Sequence, residues 1–161
     1  MRFSTAFVLV LLATSFPAQA EPPVARAEVA PPITELILER GPCFGTCPHY
    51  RITLRSDGTG TYTGWSYVER PGVHTGRFSP EAFMRLAREI DDLGFWQLRE
   101  SYLHPVNDLP VMRTVALRAD GSRKVVRDHG AVGVPAVEGP AALLRVQTAI
   151  DRFAADGSLD A

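Results

Sequence analysis

Tyr50-Arg51-Ile52-Thr53-Leu54-Arg55-Ser56-Asp57-Gly58-Thr59-Gly60-Thr61-Tyr62 is the stretch that decides how this chain folds. Tyr50, Ile52 and Leu54 alternate with Arg51, Thr53 and Arg55, which sets three apolar side chains on one face of a strand and polar ones on the other. Ser56-Asp57-Gly58 turns the chain, and Thr59 to Trp65 reads as the return strand. A hairpin with one apolar face is half of a structure, because that face must be covered by another layer.

Working outward, Ile33 to Arg40 is rich in β-branched and aliphatic residues and stops at Gly41-Pro42, which predicts a strand. Val73 to Phe78 predicts another. Ser79-Pro80-Glu81 then opens a helix: Ser as N-cap, Pro where its missing N–H is harmless, Glu at the positive end of the dipole. Phe83, Leu86, Ala87, Ile90 and Leu93 follow at helical spacing. Gly94 suits the left-handed residue that ends a helix, with Phe95-Trp96 folding back under it. Val111 to Ala119, Asp120-Gly121 and Ser122 to Asp128 predict a second hairpin. After a Gly- and Pro-punctuated loop, Ala141 to Ala155 predicts a second helix, with Leu143, Val146, Ile150 and Phe153 on one side and Gly157 at its end. Ile52 to Gly58 lies 63 positions before Val115 to Gly121, and the same offset carries Phe83 onto Val146, Ala87 onto Ile150, Ile90 onto Phe153 and Gly94 onto Gly157. The predicted class is therefore α+β: an antiparallel sheet with two helices packed on one face, the offset pointing either to two pseudo-repeated hairpin-plus-helix units or to a coincidence of two common motifs, the Asp-Gly hairpin and the amphipathic helix.

The start of the chain reads as a signal peptide over residues 1–20. Met1-Arg2 is followed by the apolar run Phe7 to Ala13 and the small-x-small pattern Ala18-Gln19-Ala20. Thr14, Ser15, Pro17 and Gln19 break that run well short of the ~20 apolar residues a membrane span requires. Glu21, not Cys, stands at the new terminus, so no lipid anchor and no stable membrane anchor is expected. Residues 21–32 hold four prolines and no apolar periodicity, and predict an extended, solvated leader. Residues 33–156 are expected to form a single domain. Seventeen Lys and Arg against 18 Asp and Glu leave a net charge of −1. The charges are dispersed along the chain, which points away from a nucleic-acid partner.

Both cysteines fall in Arg40-Gly41-Pro42-Cys43-Phe44-Gly45-Thr46-Cys47-Pro48-His49-Tyr50. In an exported protein a pair this close is expected to be a disulfide, with Gly45 supplying a positive φ for the tight reversal. So small a ring stabilises by only about 2 kcal/mol, so the bridge is a local staple that shapes a loop. Three chemistries compete with that structural reading. Thiol-disulfide exchange wants a low-pKa thiolate at a helix N-terminus, whereas Cys47 leads through Pro48 into a strand. A metal site on Cys43, Cys47 and His49 lacks a local fourth ligand and would have to draw on His104 or His129. A Cys47–His49 nucleophile pair needs a free thiol in an oxidising place.

The motif Arg-Gly-x-Cys-Phe-Gly-x-Cys-Pro-x-Tyr, leading into a strand, an Asp-Gly turn and a return strand with Tyr62 and Gly64, resembles a bacterial family of small exported domains of unknown function. The resemblance runs from about Ile33 to Phe153 and includes Asp108-Leu109-Pro110. It implies a bacterial origin, a periplasmic or secreted address and no assigned reaction.

Tyr62, Trp65, Tyr67, Trp96 and Tyr102 are candidates for an aromatic binding face, since such rings stack on sugars and peptides, or for the core and its rim. His104 with Asp108, and Asp128 with His129, are candidate acid/base pairs, against the simpler role of Asp as a turn cap. No phosphate-cradling loop, paired metal-binding His motif or nucleophile elbow occurs. The reading that results is a periplasmic or secreted, non-enzymatic module of the cell envelope, with no catalytic residue, metal or cofactor assigned. Cys43 and Cys47 form its disulfide, and His49, Tyr50, Tyr62 and Trp65 are its candidate binding residues. Its partner would be an envelope protein, a peptide or a glycan. The alternative is a small exported thiol-disulfide or metal-dependent enzyme using the Cys43/Cys47/His49 segment.

Overall fold

A computed structural model describes residues 30–105, 108–130 and 139–159. The predicted signal peptide, residues 21–29 of the leader and most of the loop before the second helix lie outside the described residues. Seven strands form one sheet: β1 (Ile33–Arg40), β2 (His49–Arg55), β3 (Thr59–Ser66), β4 (Gly72–Arg77), β5 (Ser101–Tyr102), β6 (Val111–Arg118) and β7 (Arg123–His129), in the order β4-β3-β2-β1-β6-β7-β5. All neighbours are antiparallel except β5, which pairs in parallel with the β7 edge through Ser101 and Tyr102. The helices are α1 (Pro80–Asp92) and α2 (Ala141–Phe153), and a short 3-10 turn, Phe95–Gln97, follows α1. The architecture is α+β, as the alternation and the two helical periodicities predict.

Register explains which residues form the core. Leu36 stands opposite Leu54 on β2 and Ala116 on β6, and Leu38 opposite Ile52 and Thr114. Residues directly opposite each other point to the same side of a sheet. This side meets Phe83, Leu86 and Ile90 of α1 and Leu143, Val146 and Ile150 of α2 in one buried cluster. The start of α1 is as predicted, with the Ala82 N–H donating to Ser79 Oγ at 3.1 Å. Gly94 ends the helix at φ 74°. Phe95 is fully buried behind it, and Trp96 donates its indole N–H to Asp91 Oδ1 at 2.8 Å.

The 63-position offset reappears as local geometry. Gly58 and Gly121 have φ of 83° and 85°. Asp57 Oδ1 accepts from the Thr59 N–H at 2.9 Å and its hydroxyl at 2.7 Å, and Asp120 Oδ1 does the same with Ser122 at the same two distances. The strand faces differ, however. Ile52 faces the helices, whereas Val115 is the neighbour of the helix-facing Thr114 and Ala116 and so points the other way. The two hairpins flank β1 on opposite sides, both β2 and β6 running antiparallel to it. Two hairpins that run outward from the two sides of β1, β2 to β3 and β6 to β7, are related by a rotation about the strand direction, which exchanges the faces.

Cys43 and Cys47 are joined by a disulfide. Positive φ among the described glycines belongs to Gly58, Gly72, Gly94 and Gly121. Gly45 is not one of them, so the bridged loop reverses without the left-handed residue its sequence suggested. Phe44, between the cysteines, is 93% exposed.

Candidate functional site

Where β2 leaves the disulfide loop and β3 ends beside it, the sheet borders a cleft of about 580 Å³ walled by Tyr50, Tyr62 and Tyr67. Glu69, Arg70 and Asp151 supply its charged groups, and Pro48 ties it to the bridged loop. The Tyr50 and Tyr62 rings stack with centroids 5.5 Å apart, and His74 on β4 lies 6.1 Å beyond Tyr62. Gly64 is needed here for space: a Cβ there would sit 2.3 Å from the Arg70 carbonyl oxygen. The bare backbone lets the 67–71 loop fold against β3.

Behind the cleft lies a polar cluster whose members are far apart in sequence. Arg40, at the end of β1, donates through Nε to the Tyr50 hydroxyl and through Nη2 to Asp151 Oδ2. Tyr50 donates its hydroxyl proton to Asp151 Oδ1 at 2.7 Å. Asp151 occupies the last turn of α2, where the helix dipole disfavours a carboxylate, and the Arg40 guanidinium compensates. Burial alone would lower the Arg40 pKa, but the Asp151 charge and the Tyr50 contact outweigh it and hold Arg40 above its ordinary value. Burial first, and then the Asp151 charge, push Tyr50 well above the ordinary tyrosine range. Burial also raises Tyr62. Phenols shifted in this direction stay protonated at neutral pH, so they act as hydrogen-bond donors and apolar walls, not as bases or nucleophiles.

Tyr67 is the one described non-glycine residue with positive φ, at 53°. This conformation costs a side-chain-bearing residue about 1–2 kcal/mol, and it sets the ring at the rim of the cleft with 62% of the residue exposed. Backbone strain of this kind clusters where a site must be held ready.

A second polar group lies one turn earlier on α2. Gln147, fully under the helix, donates from Nε2 to Asp128 Oδ1 at 2.8 Å and to Thr114 Oγ1 at 3.3 Å. Burial raises the Asp128 carboxyl above the ordinary aspartate value, and the Gln147 hydrogen bond only partly opposes it. A carboxyl with a raised folded-state pKa loses stability as the pH climbs from the unfolded value of about 3.9 through the folded one. Asp128→Asn keeps the oxygen that accepts from Gln147 and removes the charge. Melting curves should show it more stable than the parent at neutral pH, with the gain gone at about pH 3; an equal gain at both would refute the linkage.

The four candidate binding residues fall on two faces. Tyr50 and Tyr62 line the cleft on the helix side. His49 and Trp65 pack against each other on the opposite face, ring centroids 4.4 Å apart and planes tilted by 36°, with the Arg51 guanidinium 5.6 Å from the Trp65 ring. The other aromatics part company as well. Trp96 packs at the end of α1 with the Arg118 guanidinium 4.0 Å over its ring, and Tyr102 sits at the β5 edge with Arg99 4.7 Å over its own. Asp128 and His129 cannot form an acid/base pair, since consecutive strand residues point to opposite faces. The His129 ring lies 6.4 Å from that of His104, and its buried Nδ1 has no hydrogen-bond partner among the described residues. His104 and Asp108 both lie in an exposed loop.

A family model described as Domain of unknown function (DUF6438) matches residues 34–154. The chain belongs to the DUF6438 family. No curated protein matches it. In this DUF6438 domain the matched span runs from the second residue of β1 to the turn after α2, so every strand, both helices and the Arg40–Tyr50–Asp151 cluster belong to the family unit. Sequence reasoning reached Tyr50 and Tyr62 but missed Arg40, Glu69, Arg70 and Asp151. One signal was present: Gln147 and Asp151 follow Leu143 at helical spacing, so two polar residues interrupt the stripe that should face the core.

Proposed function

We propose that this DUF6438 domain is an exported, non-enzymatic binding module of a bacterial cell envelope, and that it takes a segment of another envelope protein into the tyrosine-lined cleft. The observation that carries the reading is Tyr67: a solvent-exposed aromatic is kept in a costly backbone conformation on the rim of the tyrosine-lined cleft. Phe44 supports it, because a disulfide-pinned loop that offers a bare aromatic ring loses little conformational entropy on binding. Aromatic anchors beside a groove with a few charged groups suit a peptide with apolar side chains and a polar backbone. The address rests on the signal-peptide pattern of residues 1–20 and on the cysteine pair, which suits an oxidising compartment.

Two measurements test the two halves of this proposal. N-terminal sequencing of protein from the periplasm or medium should begin at Glu21; an unprocessed chain in the cytosol would refute export. Cross-linking in intact cells should give a defined adduct with the parent that is lost in Tyr67→Ala and Phe44→Ser, both of which should melt like the parent. An adduct unchanged in both variants would refute the cleft as the binding site.

A further inference from the structure

The sheet face turned away from the helices carries charges that the linear sequence scatters. Register gathers them into rows. Arg51, Glu39, Arg113 and Arg127 lie side by side across β2, β1, β6 and β7. A second row holds Arg55, Glu35, Leu117 and Arg123 on the same four strands. Between them Thr75, Thr61 and Thr53 continue into Ile37, Val115 and Val125. Both acids are taken by one neighbour: Arg51 bonds Glu39 at 2.6 Å and Arg55 bonds Glu35 at 3.0 Å. Arg113, Arg123 and Arg127 have no such partner among the described residues. Arg113 and Arg127 stand directly opposite each other, a like-charge placement that works against sheet stability.

A fold that sets Arg113 opposite an exposed Arg127, with an exposed Arg123 two same-face positions away on β7 and no acid bonded to any of the three among the described residues, is arranged for an anion that is not part of the fold. We infer that this face binds an acidic polysaccharide lying across the strands, with its anionic groups held on the β6–β7 half. Guanidinium groups match carboxylate and sulfate oxygens in paired geometry. The row of threonine hydroxyls offers neutral hydrogen-bonding partners of the kind sugar hydroxyls use. Strands about 4.8 Å apart present these groups at roughly the spacing of successive sugar units. At the far edge Trp65, 44% exposed and backed by Arg51, is a stacking platform for a sugar ring. The choice of a glycan over a nucleic acid rests on the export proposed above; the cleft is not involved.

Binding is tested with the purified chain on immobilised heparin and polygalacturonate, with neutral dextran as control and single-stranded DNA as competitor. Retention on both acidic glycans, release by salt and passage through dextran are expected. Arg123→Glu/Arg127→Glu should weaken retention by about tenfold or more. The same variant should melt no lower than the parent, because the carboxylate introduced on β7 opposite Arg113 replaces a like-charge pair with an opposite-charge one. Arg85→Glu/Arg88→Glu, on the exposed side of α1, makes the same change in net charge and should leave retention intact. Absence of retention, equal loss in both variants, or displacement by DNA at matched charge as effective as by free glycan would each overturn the inference. A chain that passes this assay but is found unprocessed in the cytosol would refute export alone.

Discussion

Asp151→Ala should lower the unfolding free energy by about 3 kcal/mol, the lower end of the cost of stripping one partner from a buried ion pair. Asp151 and Arg40 keep only 26% and 23% of their side-chain surface exposed. Removing the carboxylate leaves the Arg40 guanidinium facing the Tyr50 hydroxyl, which had been donating to Asp151. It loses its charge partner while the helix still shields it from water. The expected result is a lower urea midpoint at unchanged slope. The converse experiment separates pair from packing. Arg40→Met with Asp151→Leu should recover most of the loss, since apolar replacements of a buried pair are often neutral or better. That double variant should nonetheless lose the cross-linked adduct if the cluster positions Tyr50 for binding. A single variant as stable as the parent would show the pair to be solvated and irrelevant to the fold.

Phe83→Ala should cost about 3–5 kcal/mol, the usual range for emptying a buried phenylalanine site. Phe83 is fully buried on α1, with the Phe78 ring 6.3 Å away and nearly parallel, and Phe153 edge-on to Phe78 at 5.0 Å. This aromatic group joins the end of β4, α1 and the end of α2, so a cavity there has walls that cannot close without moving both helices. Denaturant unfolding measures the loss directly. Phe44→Ala makes the same chemical change at a residue that is 93% exposed and should shift the midpoint little. A Phe83→Ala loss as small as that of Phe44→Ala would contradict the core described here.

Much of this fold could be read from local chemistry. Period-two alternation at Ile52 and Leu54 and the Ser79-Pro80 cap are decided by neighbours a few residues away, and both appear where expected. What local chemistry does not encode is which strands meet. β1 lies in the middle of the sheet because Leu36 and Leu38 are covered on both sides, and nothing near them in sequence names β6 as the second partner. The 63-position offset misled on the strand faces for the same reason: a repeated turn and a repeated helix stripe say nothing about which side of β1 each hairpin joins. The β5 edge pair is two residues long and carries no periodicity to find. The site divides along the same line. Tyr50 and Tyr62 could be nominated because β2 and β3 are a hairpin. Asp151 lies 111 positions from Arg40, and only tertiary packing brings the two together. The basic rows on the open face were invisible for a related reason, since a net charge near zero averages over two faces that the register separates.

The central place of β1 also bears on how the chain is made. β1, β2 and β3 leave the ribosome in succession and can zip together at once, but the other margin of β1 stays unsatisfied until β6 emerges. During that interval its free amides and carbonyls are open to any passing strand. The pairing that closes the middle of the sheet waits for the sixth strand to be made, so a polypeptide halted before Val111 would be an adhesive fragment and not a smaller stable protein.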